Sequence, residues 1–81
     1  MAGQTELKRA LALLAAGDWD GAHQIAQRDE THTLYCWLHA ILHKIEGDSG
    51  NARYWYARAG RRYEDFPHPT AEIAAFEAAL G

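Results

Sequence analysis

Residues 31–60 read THTLYCWLHAILHKIEGDSGNARYWYARAG, and this stretch decides the fold. Leu34, Trp37, Leu38, Ile41 and Ile45 recur at three-and-four spacing, the period of an amphipathic helix. Gly47 ends that helix because glycine enters the left-handed C′ conformation without penalty. Asp48 or Ser49 then caps a second helix carrying Ala52, Trp55, Tyr56 and Ala59. The two helices, separated by a Gly-Asp turn, form a hairpin.

The segment before it follows the same plan. Thr5 is the expected cap of a helix to Ala16 whose apolar face is Leu7, Ala10, Leu11 and Leu14. Gly17 ends it, and Asp18 caps a helix through Trp19, Ala22, Ile25 and Ala26. Thr31 is the expected cap of the third helix, which runs to about Glu46. After Gly60 the run Phe66-Pro67-His68-Pro69 interrupts helix, since each proline lacks an amide hydrogen and pushes its predecessor toward extended geometry. Thr70 is then the expected cap of a last helix with the stripe Ile73, Phe76 and Leu80. The expectation is an all-α domain over 1–81: one hairpin at 5–29, a second at 31–62, a linker at 63–69 and a covering helix at 70–80.

Gly17-Asp18 and Gly47-Asp48 lie 30 residues apart, and the same offset aligns Ala10 with Ala40, Leu11 with Ile41, Ala22 with Ala52 and Ile25 with Trp55. Self-similarity at 20 to 50 residues marks arrays of helical hairpins. Gly17-Asp18-Trp19 leading to Ala22, and Glu46-Gly47-Asp48 leading to Ala52-x-x-Trp55-Tyr56-x-x-Ala59, resemble tetratricopeptide and Sel1-like repeats. The spacing departs from the ~34 residues of a tetratricopeptide unit, and such arrays generally need about three repeats. The resemblance implies two tandem hairpins with the C-terminal helix covering an exposed end, and a groove lined by the first helix of each unit. The run EGDSGNARYWYARAG also resembles one in small bacterial proteins of uncharacterised role, which implies no activity.

Composition narrows the function classes. The 81 residues are 48% hydrophobic and 23% charged, an ordinary globular balance near the lower size limit for one core. A formal charge of −3 gives no general attraction to nucleic acid or anionic membranes. One cysteine, Cys36, rules out an internal disulfide and suits a reducing cytoplasm. The opening MAGQTELKRA lacks the apolar core of a signal peptide, and no apolar run approaches the ~20 residues that span a bilayer.

The sharpest chemical feature is a polar stripe on the third helix. At ~100° per residue, His32, Cys36, His39 and His43 fall within about 60° of one another, beside Glu46 and opposite the Leu34/Leu38/Ile41/Ile45 face. His39 and His43 have the i,i+4 spacing that lets two imidazoles reach one metal ion such as zinc. No HExxH pattern accompanies them. A groove-facing stripe would also contact a peptide or small molecule. Tyr54, Trp55, Tyr56 and Tyr63 interleave with Arg53, Arg58, Arg61 and Arg62, a texture enriched at protein interfaces. Cys36 as a nucleophile has His32 and His39 on its face, with no oxyanion hole and no third group.

These readings give a first expectation of a small cytoplasmic, non-catalytic protein-interaction module that binds a protein partner or itself as a homodimer, without a cofactor. The alternative is a metal- or small-molecule-binding protein. The candidate binding residues are His32, Cys36, His39, His43, Glu46 and Tyr54, with His39 and His43 as metal ligands and a divalent metal as the cofactor.

Overall fold

The Gly-Asp turn recurs bond for bond. Gly17 and Gly47 take φ of +87° and +89°, a left-handed conformation that carries a steric penalty for any residue with a Cβ. The Gly17 amide donates to Leu14 O at 3.0 Å and the Asp18 amide to Leu13 O at 2.8 Å; thirty residues on, Gly47 donates to Lys44 O at 3.1 Å and Asp48 to His43 O at 2.9 Å. Each Asp carboxylate then accepts an amide of the next helix, Asp18 from Gly21 and Asp48 from Asn51. One helix end and the next helix start are thus satisfied within a two-residue turn.

The computed structural model describes the backbone from Ala2 to Gly81 and the side chains from Gln4 onward. The fold is all-α: α1 (Ala2–Ala15), α2 (Trp19–Ala26), α3 (Thr33–Glu46), α4 (Ser49–Ala59), a 3₁₀ turn (Tyr63–Asp65) and α5 (Pro69–Ala79), with no strand among the described residues. No described helix is long and apolar enough to cross a membrane. α1 packs on α2 and α3 on α4, while α3 also touches α2 and α5, and α5 reaches α1.

α3 is therefore the central element. Eight consecutive residues, Tyr35 to Leu42, are buried, so α3 is covered on all sides through its middle. Leu7, Ala10, Ala22, Ile25, Ala52, Tyr56, Phe76 and Leu80 pack around it. Each large apolar side chain taken from water there contributes roughly 1.5–3 kcal/mol, and the alanines at Ala10, Ala22, Ala40 and Ala52 are fully covered where helices approach.

Three expected caps and one expected core residue are corrected. α1 begins at Ala2, upstream of Thr5, because nothing between them stops the helix. Thr31 precedes α3: its amide and hydroxyl both bind the Asp29 carboxylate, at 3.1 and 2.7 Å, which folds an Asx turn instead. His32 is the cap, its Nδ1 accepting the Leu34 amide at 3.2 Å. α5 starts at Pro69 rather than after Thr70, since proline's preset φ and missing donor suit the first helical position. Ile45, expected in the core, is 39% exposed at the end of α3.

A polar pin ties α5 to α3 and α4. Glu72 is 1% exposed; its Oε2 accepts from Trp37 Nε1 at 2.9 Å and the Tyr56 hydroxyl at 2.6 Å. Its Oε1 accepts from Lys44 Nζ at 2.8 Å. The remaining Lys44 donors go to the carbonyls of Tyr63 and Phe66, at 2.9 and 2.8 Å. Every donor of the ammonium and both carboxylate oxygens are used, the condition under which a buried ion pair is tolerated. Burial, then the Glu72 carboxylate, raises the Tyr56 phenol above its ordinary pKa and keeps it a donor.

Candidate metal centre

The α3 stripe does not act as one surface. Because α3 is surrounded, burial follows position along its axis rather than angle around it. His32 lies exposed at the N-terminus as a cap. Cys36 is buried, and its thiol donates to Glu30 O at 3.1 Å. Glu46 sits exposed at the other end, its Oε1 3.0 Å from His43 Nδ1. The expected single groove-facing stripe is corrected to a cap, a core thiol and a pair of histidines.

That pair meets a third histidine from α2. Asp18 starts α2 so that Trp19 and His23 share the face toward α3. The Trp19 indole donates to Leu42 O at 2.8 Å, fixing α2 against the middle of α3. Its ring stacks on His23, with centroids 4.6 Å apart and planes 18° from parallel. His23 Nε2 then lies 3.1 Å from His39 Nε2. The His39 ring stacks on Trp55 of α4 at 3.9 Å and on His43, one turn further along α3, at 5.0 Å. Two tryptophans thus bracket three imidazoles, each bracketing contact coming from a different helix.

One donor nitrogen from each of His23, His39 and His43 falls within 4.8 Å of the other two. Two ligands on a tetrahedral zinc with bonds of about 2.0–2.1 Å lie roughly 3.3 Å apart, so the 3.1 Å spacing of the His23 and His39 nitrogens matches two positions around one ion. In the absence of a metal the same contact is a hydrogen bond between neutral rings, one donating and one accepting. Burial foremost, then the neighbouring His23 and His43, pushes the His39 pKa down to about 4. His23 is also lowered, by burial and then by His43, with Glu46 and Asp20 acting the other way. Both shifts favour neutral imidazole, the form that binds metals.

His39 is 4% exposed, and its Nδ1 is buried without a hydrogen-bond partner among the described residues. An unsatisfied buried polar atom costs about 1–3 kcal/mol, so a fold that keeps histidine here rather than an apolar ring forgoes stability. His43 is arranged differently: the carboxylate at Nδ1 leaves Nε2 as its basic nitrogen, the outer-sphere pattern that orients a metal-binding histidine.

His23 is the residue that sequence reasoning missed. The 30-residue offset places Arg53 opposite it, so the repeat gives no warning. Its spacing from Trp19 on one face of α2 was the available signal. Tyr54 stands apart from the trio, 55% exposed and edge-on to Trp55 at 5.1 Å. The interleaved arginines turn to internal partners: Arg53 to Glu64, Arg58 to Glu30 O, and Arg61 over the Trp37 ring. A second donor group, His43, Glu46 and Asp48, shares His43. No protein-family model matches the chain, and neither does a curated protein or a solved structure.

Proposed function

We propose that the protein binds a divalent transition metal through His23, His39 and His43. The observation that carries this reading is the convergence of three imidazoles from two helices, with nitrogens at metal-sharing distance. Three nitrogen donors suit zinc, copper or nickel and not magnesium or calcium, which take oxygen ligands. To ligate through Nε2, His39 would carry its proton at Nδ1, which has no partner among the described residues.

Trp19 and Trp55 stack directly on ligand rings, which supplies the test. Copper(II) or nickel(II) added to tag-free, metal-stripped protein is expected to quench tryptophan emission in a saturable way at one equivalent, reversed by chelator. No saturable change with either ion overturns the proposal.

A second reading is a cytoplasmic protein-interaction module, favoured by Tyr54. A tyrosine 55% exposed, with the Arg58 guanidinium 5.8 Å from its ring, has the composition of an interface anchor. The buried free thiol of Cys36 accords with that compartment. Light scattering that gives a dimer mass, reduced to monomer by Tyr54→Ala, supports self-association through this surface; a monomer at high concentration excludes the homodimer.

A further inference from the structure

The donor set stops at three. Among the described residues no fourth histidine, cysteine, aspartate or glutamate joins the nitrogens of His23, His39 and His43 within the 4.8 Å that gathers them. The nearby acids are committed elsewhere. Glu46 holds His43 Nδ1 at 3.0 Å. Asp48 caps α4, accepting from the Asn51 amide at 3.2 Å and the Asn51 side chain at 2.7 Å. Cys36 on the same helix is bound to Glu30 O.

The trio is also graded in burial. His39 is 4% exposed, while His23 and His43 are both only partly buried, the His43 side chain at 12%. The cluster is closed on the His39 side, under Trp55, and reaches solvent at the partly buried His23 and His43. Structural zinc sites fill all four positions with protein ligands, whereas sites with three protein ligands leave the fourth to water or an incoming molecule.

We infer that the metal site has an exchangeable fourth position, open to solvent at the His23 and His43 edge, that takes water at rest and a small monodentate anion in its place. This rests on the metal reading above. The ligand class follows from charge: three imidazoles bring no negative charge to the ion itself, and only the outlying Glu46 and Asp20 carboxylates offset its double positive charge, so the open position attracts a compact anion.

Cobalt(II) reports coordination through its visible bands. Tag-free protein is saturated with cobalt and titrated with azide and, separately, thiocyanate; Glu46→Ala is treated identically at saturating cobalt. The expected result is a saturable shift of the cobalt bands with each anion in both proteins. A wild-type cobalt spectrum that ignores both anions overturns the inference while leaving metal binding intact, since all positions are then held by protein. An anion response confined to Glu46→Ala also overturns it and makes the Glu46 carboxylate the fourth ligand. If no protein-bound cobalt spectrum forms, or one forms unaltered in His23→Gln, the three-histidine site itself is wrong and the inference falls with it.

Discussion

Lys44 Nζ lies 2.8 Å from Glu72 Oε1, with 6% and 1% of the two side chains exposed. One residue sits on the central helix and the other on the last, so this pair fixes how the C-terminal helix covers the hairpins. Trp37 and Tyr56 complete the carboxylate's shell from two helices.

Removing the Glu72 charge strands a buried ammonium. Glu72→Ala is expected to destabilise the protein by about 3–5 kcal/mol, read from urea unfolding followed by helix dichroism. Lys44→Met with Glu72→Leu is expected to lose less than the two single changes summed, because neither charge is then left alone. A loss under about 1 kcal/mol for Glu72→Ala contradicts the described network.

Gly47 in the turn and Gly50 inside α4 separate the effect of backbone conformation from that of space for a side chain. An added Cβ at Gly47 meets nothing within 4 Å, yet the φ of +89° is adverse to any L side chain. Gly47→Ala is expected to lose about 1–2 kcal/mol. Gly50, inside α4 with an ordinary 3.9 Å contact to Asp48, is expected to gain about 0.5–1 kcal/mol on change to Ala. Thermal melts of the two variants moving in the same direction contradict this.

Acid sensitivity follows from His39. Its folded pKa of about 4 lies below the ordinary 6.5, so between those values the unfolded chain takes up a proton that the folded chain does not. Stability of the metal-free protein is therefore fully present above about pH 6.5 and falls as pH drops toward 4. His23, lowered in the same direction, adds to the slope. Urea midpoints from pH 7.5 to 5, where most carboxylates stay ionised, are expected to decline, and His39→Leu to flatten the decline. A flat wild-type profile contradicts neutral burial of His39.

Much of the fold was legible because its signals are local. Gly17-Asp18 and Gly47-Asp48 each carry a complete stop and start within two residues, and the helix periods of Leu7/Ala10/Leu11 and Ala52/Trp55/Tyr56/Ala59 match their buried faces. What escaped depends on long-range contact. A helical wheel assigns α3 one polar side, yet α2, α4 and α5 cover it all round, so His39 and Cys36 are core while Ile45 is exposed. Glu72 reads as a solvent-facing residue between Ala71 and Ile73 until Lys44, 28 positions earlier, is placed against it. The candidate site was half legible: His39 and His43 announce themselves by spacing, and His23 becomes part of it only when α2 docks.

The most direct test of the three-histidine centre is calorimetric titration of zinc into tag-free protein and into His23→Gln. His23 is only partly buried, so its loss leaves the core intact. The account predicts one zinc per chain in the wild type and at least tenfold weaker binding in the variant, about 1.4 kcal/mol, with unchanged helix content. No binding in the wild type, or equal affinity in the two proteins, would contradict it.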